Sequence, residues 1–204
     1  IPQYSVEYVE LASAEGPIRL RFQAPTVAPL LPTDVGPKGC WWSNSGDAIS
    51  STLTRSIDLA GNTQATLSYQ VWYNLEENWD YAYVEVSTDE GVTWEILEGR
   101  STTVENPAGN SYGPGFTGQS EGWAREEIVL SAYAGRRVLL RFEYVTDDSV
   151  YLDGFVVDDL SIPQIDFFDG AETDAGWQAR GFERIDNELA QRFLVQIIEH
   201  RADA

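Results

Sequence analysis

The sequence is nearly devoid of the residues that most catalytic sites require. Among 204 residues it has one histidine, His200, one cysteine, Cys40, and no methionine. A zinc-protease helix needs two histidines, no G-x-S-x-G motif accompanies His200, and one cysteine cannot form an internal disulfide. We therefore predict that this chain is not an enzyme and binds no zinc. A glycosidase built on two facing carboxylates is a formal alternative, because acidic residues are abundant.

Basic residues are also scarce. The chain carries 13 lysines and arginines against 33 aspartates and glutamates, which gives a formal net charge of −20. Such a chain repels phosphate backbones, so we predict no nucleic-acid partner. No apolar run in the sequence is long enough to span a membrane. The abundant carboxylates are instead the hard oxygen ligands that Ca²⁺ prefers.

Alternation of apolar and polar residues with a period of two dominates the chain, and no long stretch combines a clear helical repeat with capping residues. The alternating runs span residues 18–22, 67–73, 82–86 and 138–144, and the β-branched residues at 193–198 favour another strand over a helix. This pattern predicts an all-β jelly-roll or Greek-key β-sandwich of two antiparallel sheets. The long irregular segment 100–122 is expected to be functional or held by a bound group.

The domain organisation follows from these runs. We interpret residues 1–204 as a single β-sandwich domain with a recognisable core at 40–162. Residues 1–39 provide N-terminal strands and an extended, proline-rich connection, and 163–204 provide extra strands or the start of a neighbouring module. The chain opens on Ile1-Pro2-Gln3 with no visible signal peptide, so we interpret it as a fragment of a larger protein.

Acidic residues gather at the expected junction between two strands. Glu76, Glu77 and Asp80 lie within five residues, in a segment rich in tryptophan and tyrosine. A loop there lets several oxygens converge on one point, as a calcium site requires. Asp47, which follows Gly46 in another expected turn, can add a further oxygen. A solvated acidic loop is an equally good interpretation of the same residues.

A second pair of acids, Asp158 and Asp159, lies inside an expected strand. Adjacent residues of a strand point to opposite faces, so we expect one of the two carboxylates to face inward. A buried carboxylate is unfavourable unless it meets a metal or several donors. We therefore add both residues to the candidate calcium ligands. The alternative is an edge strand with both side chains in water.

Two further patterns concern the surface. The segment Ser87–Trp94 has the form S-x-D-x-G-x-T-W, the Asp box of sialidase-like propellers. A propeller needs several copies and this chain has one, so a structural turn is expected. The tryptophans are possible ligand-facing aromatics because exposed rings stack on sugars, which makes a carbohydrate-binding or adhesion module the alternative function. The candidates are Trp41, Trp72, Trp79 and Trp123.

Taken together, the ordered segments resemble a known domain. They include Trp42–Asp47, Leu53–Leu59, Trp72–Ser87 with the Asp box, Gly113–Gly118, Leu130–Gly135 and Val157–Ile162. The chain is similar to the MAM-like jelly-roll region of immune inhibitor A-type secreted bacterial metalloproteases. This resemblance covers well over half of the chain, although the catalytic zinc motif of those proteases is absent.

The resemblance implies a non-catalytic accessory module that lies C-terminal to a protease domain. It also implies secretion or exposure at the cell surface, and a sandwich that holds a structural Ca²⁺. The expected partners are neighbouring domains of the same polypeptide, with a glycan or protein surface as a further option. Carried over by position, the metal ligands would come from Asp47, Glu76 or Glu77, Asp80, and Asp158 or Asp159.

Overall fold

A computed structural model describes residues 5–11, 16–35, 39–174 and 176–198 of the chain. The strands in these residues are β1 (Val27–Pro29), β2 (Cys40–Trp42), β3 (Ser50–Asp58), β4 (Thr66–Asn74), β5 (Tyr81–Ser87), β6 (Glu95–Ile96), β7 (Ala124–Val129), β8 (Arg137–Val145), β9 (Gly154–Ile162), β10 (Phe167–Asp169), β11 (Gln178–Arg180), β12 (Glu183–Ile185) and β13 (Glu188–Ala190). Short 3-10 helices occupy Ser131–Tyr133 and Pro163–Ile165. In this part of the chain no helix is both long and apolar enough to cross a bilayer. His200 lies outside the described residues.

The chain divides into two compact units, Ile1–Ala28 with Leu189–Ala204, and Pro29–Glu188. In the second unit, two antiparallel sheets form the sandwich that the alternation predicted. One sheet has the order β12-β2-β9-β4-β7, with β10 also paired to β9, and the other has the order β11-β3-β8-β5-β6. Strands that are distant in sequence are neighbours in both sheets. The all-β jelly-roll prediction is therefore confirmed.

The alternating runs supply the core between the two sheets. In β8, Val138, Leu140, Phe142 and Tyr144 are buried, whereas the residues between them are only partly covered. The Phe142 ring packs edge-on against Tyr69, with ring centroids 5.2 Å apart. Runs 67–73 and 82–86 likewise lie in β4 and β5. Alternation places one series of side chains inward because successive residues of a strand face opposite sides.

The long segment between β6 and β7 covers the outer face of β5. All residues of β5 are therefore buried, on both faces of the strand. Gly115 lies so close to Tyr83 that a Cβ there would be 2.7 Å from the ring. Phe116 exchanges two backbone hydrogen bonds with Ala82. The fully buried carboxylate of Glu126 accepts hydrogen bonds from the N–H of Arg100 and the hydroxyl of Ser101 near the start of the segment. The sheet itself therefore holds this segment in place.

The Asp box forms the expected turn between β5 and β6. The Asp89 carboxylate accepts hydrogen bonds from the N–H and hydroxyl of Thr93, at 2.9 and 2.6 Å, and from the hydroxyl of Ser87 at 2.7 Å. The bonds from Thr93, followed by that from Ser87, lower the pKa of Asp89 to about 2. Gly91 has φ +90°, and the Arg141 guanidinium lies 3.9 Å from the centroid of the Trp94 ring.

Two predicted strands, at 18–22 and 193–198, are wrong. Both segments belong to the first unit, and both have irregular backbone. Ile18 is 56% exposed and Leu194 is 91% exposed. Alternation concerns side chains alone, whereas a strand also needs a neighbour for its backbone groups. The strands β1 and β13 pair with each other, and each is only three residues long.

Candidate metal centre

The turn between β4 and β5 carries Glu76 and Asp80. The carbonyl of Glu76 accepts hydrogen bonds from the N–H groups of Trp79 at 3.2 Å and Asp80 at 3.0 Å, and from the hydroxyl of Thr117 at 3.2 Å. The bond from Asp80 back to Glu76 closes a single turn of helical type. Residues four apart in such a turn lie on the same side, so the two carboxylates are brought together.

Asp147 joins them from the end of β8. Since β5 and β8 are antiparallel, with Tyr81 opposite Val145, the chain leaving β8 meets the chain entering β5. The N–H of Asp147 donates to Oδ1 of Asp80 at 3.1 Å. One carboxylate oxygen from each of Glu76, Asp80 and Asp147 lies within 4.8 Å of the others. These three residues are called the acidic cluster below.

The electrostatics of the acidic cluster are unfavourable without a cation. Asp80 is fully buried and accepts one further hydrogen bond, from the hydroxyl of Tyr144 at 3.4 Å. Burial raises the pKa of Asp80 to about 6, and the nearby charges of Asp147 and Glu76 act in the same direction. Burial also raises the pKa of Glu76, with the charges of Asp147 and Asp47 adding to it. The ion pairs found among the described residues involve other side chains.

A neighbouring turn at residues 46–48 borders the acidic cluster. The N–H of Ala48 donates to the carbonyl of Asp147 at 2.5 Å, and the hydroxyl of Thr146 donates to the carbonyl of Gly46 at 2.8 Å. These bonds hold Asp47, whose side chain is exposed, at the rim of the site. Asp47 is therefore close enough to influence the acidic cluster, although it is not one of its three converging carboxylates.

The donor set fits a hard divalent cation. Ca²⁺ takes six to eight oxygen ligands, and carboxylates bind it through one or both oxygens. Three converging carboxylates supply part of such a shell, and backbone carbonyls and water can complete it. Zinc prefers histidine nitrogen and cysteine sulfur, which the acidic cluster does not contain.

Glu77 does not take part in the acidic cluster. Its side chain is exposed and lies against Gly118, where its Cγ would be 3.6 Å from a Cβ at that glycine. Of the pair Glu76 and Glu77, only Glu76 has a carboxylate oxygen among those that converge in the acidic cluster.

Asp158 and Asp159 are also outside the acidic cluster, and the expectation that one of them faces the core is wrong. The pairing of β9 with β4 is irregular at this point, and Asp159 has φ +49°. Because of this bulge, Val157 and Leu160 both face the core. Asp158 is half-buried on the outer face and Asp159 is exposed. Burial raises the pKa of Asp158 to about 6, with the charges of Asp159, Glu172 and Asp169 adding to it.

The four candidate aromatics have different environments. Trp41 and Trp72 are buried, so they cannot present a face to a ligand. Trp123 is half-buried and its indole N–H donates to the carbonyl of Asp34 at 2.7 Å. Only Trp79, among these four, is substantially exposed, at 46%. The ligand-facing assignment is therefore wrong for Trp41 and Trp72, and it is open for Trp79.

Sequence reasoning missed Asp147, although a signal was present. The alternating run 138–144 ends shortly before Thr146-Asp147-Asp148-Ser149, a polar turn with two acids. If that run and the run 82–86 are antiparallel neighbours, the end of the first lies beside the start of the second. The missing information was the pairing of these strands.

The fold and the acidic cluster define a β-sandwich module with a candidate site for a hard cation. Over residues 11–187 the chain matches the family described as Immune inhibitor A-like, MAM domain, and it belongs to that family. The resemblance seen in the sequence is thus confirmed.

The relatives that match this chain are much longer proteins, and each aligns with it over a small part of its own length. Pre-pro-metalloprotease PrtV of Vibrio cholerae serotype O1 is 32% identical over 148 residues, which cover 71% of this chain and 15% of that protein. Immune inhibitor A of Bacillus thuringiensis subsp. alesti is 29% identical over 150 residues, covering 71% of this chain and 20% of that protein. Bacillopeptidase F of Bacillus subtilis strain 168 is 32% identical over 94 residues, covering 46% of this chain and 5% of that protein. The chain therefore corresponds to a small part of each.

Proposed function

We propose that this chain is a non-catalytic accessory module of a secreted, peptidase-like protein. The observation that carries this proposal is the family match, together with the small share of two relatives that this chain covers. The aligned residues are 15% of the relative named as a metalloprotease and 20% of Immune inhibitor A. A module of this size can support a protease domain without containing its active site. Export of the parent protein is in keeping with the pre-pro form in the name of the Vibrio cholerae relative.

A direct assay tests the absence of catalysis. The purified chain, prepared without other proteases, should leave casein and gelatin intact in the presence of calcium and zinc. Cleavage that persists through successive purification steps and scales with the amount of this chain would overturn the proposal.

The module is further proposed to bind a structural Ca²⁺ at the acidic cluster. The support is the convergence of Glu76, Asp80 and Asp147 within 4.8 Å, with Asp80 fully buried. Bringing three carboxylates together is unfavourable unless a cation compensates their charge. Sensor and extracellular calcium sites work at micromolar to millimolar concentrations, which suits an exported module.

Calcium binding can be tested through stability. At a calcium concentration about 100 times the Kd, binding adds about 2.7 kcal/mol to the free energy of unfolding. For a chain of this size that raises the Tm by about 5–11 °C. Thermal melts followed by circular dichroism should therefore show a fall in Tm with EDTA and recovery with added calcium.

Variants locate the ion. Glu76→Gln and Asp147→Asn should each abolish most of the calcium-dependent rise in Tm. Glu77→Gln is the matched control because Glu77 is adjacent, carries the same charge and lies outside the acidic cluster. A Tm that ignores calcium, or equal effects of the variants at 76 and 77, would contradict the calcium proposal.

The proposed partners are neighbouring domains of the same polypeptide. The first unit leaves several large apolar side chains in water, among them Tyr8 at 85% exposure and Leu194 at 91%. Exposed apolar groups that are close together commonly mark contacts with other protein surfaces. In the full-length protein these groups should become protected from hydrogen exchange or chemical labelling, and unchanged labelling would argue against the contact.

A further inference from the structure

A groove opens directly beside the acidic cluster. It has a volume of about 320 Å³, and its lining includes Trp79, Asn110, Tyr112, Thr146 and Asp147. This volume is at the lower end of the range for small-molecule sites. Asp147 belongs both to the groove and to the acidic cluster, so the two features share one wall.

The aromatic part of the groove is held in place by the sheet beneath it. The ring of Tyr112 stacks on Tyr83 with centroids 5.7 Å apart, and Tyr83 stacks on Tyr81 at 6.1 Å. The N–H of Tyr112 also donates to the hydroxyl of Tyr83 at 3.0 Å. The side-chain amide of Asn110 donates to the carbonyl of Trp79 at 3.3 Å, which joins the two loops that form the groove. These contacts prepare the groove before any ligand arrives.

The exposed parts of the groove combine two ring surfaces with polar groups. Trp79 is 46% exposed and Tyr112 is 69% exposed, although aromatic rings usually lose much of their surface to packing. The Asp147 carboxylate and the amide oxygen of Asn110 are hydrogen-bond acceptors, and the amide of Asn110 has a second N–H to donate. A ligand that offers an apolar face together with hydrogen-bond donors therefore fits this groove.

We propose that this groove binds a sugar unit of a neutral glycan, with its apolar face on Trp79 or Tyr112 and its hydroxyls on Asn110 and Asp147. A pyranose ring has an apolar face of C–H groups and carries hydroxyl groups around its edge. Anionic sugars are disfavoured because the groove adjoins three carboxylates and the chain has a net charge of −20. The proposal rests on the proposed function in one respect: a bound cation would fix Asp147 and the turn that carries Trp79.

The test measures binding of defined sugars to the purified chain in calcium. The probes are maltotetraose, cellotetraose, chitotetraose and lactose. Their binding is measured by ligand-observed NMR and by tryptophan fluorescence. Trp79→Ala and Tyr112→Ala should each weaken binding of the active probe by about tenfold or more, as is usual when a central aromatic contact is removed. Tyr151→Ala is the control, because Tyr151 is 54% exposed and does not line the groove. The Tm of each variant establishes that it is folded, and Trp79→Phe should retain part of the affinity.

The outcomes separate this inference from the calcium proposal. Binding that weakens with the groove variants and not with Tyr151→Ala supports the sugar site, whether or not calcium shifts the Tm. No binding of any probe, or binding that the groove variants leave unchanged, overturns it even if calcium stabilises the fold. Displacement of the probe by a lysine-rich peptide with higher affinity also overturns it, because the rings would then serve a cationic protein segment.

Discussion

Replacement of Asp80 by asparagine should have opposite effects on stability with and without calcium. Without the ion, the folded protein at pH 7 must ionise a fully buried carboxylate whose pKa is raised from 3.8 to about 6. A folded-state pKa above the unfolded value means that ionisation opposes folding, with the penalty absent below about pH 4 and complete above about pH 6. At about 1.4 kcal/mol for each pH unit, the penalty has an upper limit of about 3 kcal/mol.

Asparagine removes this penalty and keeps an acceptor oxygen for the N–H of Asp147. We expect Asp80→Asn to stabilise the metal-free protein by about 2 kcal/mol, which raises the Tm by about 4–8 °C. In saturating calcium the wild-type protein should be the more stable of the two. The wild-type protein then gains the free energy of calcium binding, whereas the variant has lost one charged ligand and gains much less.

Thermal melts at pH 7, in EDTA and across a calcium titration, measure both effects. Asp148→Asn is the control because Asp148 is exposed, adjacent to Asp147 and changes the net charge equally. The two Tm curves for wild type and Asp80→Asn should cross as calcium rises. A variant that lowers Tm by the same amount in EDTA and in calcium would refute the reasoning, since Asp80 would then act only as a hydrogen-bond acceptor.

Three further experiments test the site and the fold. Between pH 7 and pH 5 the calcium-dependent rise in Tm should fade and the EDTA-treated protein should become more stable, because Asp80, with a pKa of about 6, takes up a proton; a calcium effect independent of pH would contradict this. Asp89→Ala should lower the urea midpoint at pH 7. The wild-type protein should lose stability as the pH falls from about 4 towards 2, where Asp89 becomes protonated, and the variant should lose less over that range. An unchanged pH profile would contradict the role of the Asp89 carboxylate in stabilising this turn. Phe142→Ala should cost about 3–5 kcal/mol in guanidinium unfolding, whereas Phe168→Ala, at a ring 60% exposed, should cost well under 1 kcal/mol; equal losses would contradict the assigned core.

Most of the sandwich could be predicted because its strands alternate cleanly. In β8 the buried and partly covered residues follow the period of two along the whole strand. The prediction failed where a strand's existence depends on its neighbours. Residues 18–22 alternate as clearly as those of β8, yet their backbone is irregular and Phe22 is 51% exposed. Pairing decides the secondary structure there, and a single sequence does not contain the pairing.

In the candidate site, too, residues that are close in sequence could be predicted together, whereas the residue brought in by strand pairing could not. Glu76 and Asp80 were predictable together because one turn of chain connects them. Asp147 hydrogen-bonds to Asp80 across 67 residues of sequence, and only the pairing of β5 with β8 brings it there. For Asp159, strict alternation gives the wrong side of the sheet. A bulge in β9 reverses the face on which this side chain lies.

The turn from Glu76 to Asp80 links the acidic cluster and the groove through one short piece of chain. Two of its side chains belong to the acidic cluster, a third, Trp79, lines the groove, and Asp147 belongs to both. A cation that fixes this turn reduces the entropy lost when a sugar stacks on Trp79, so calcium should tighten sugar binding. Linkage requires that sugar tighten calcium binding by the same factor. Equal sugar affinities with and without calcium would mean that the turn is already rigid, and that the acidic cluster and the groove act independently.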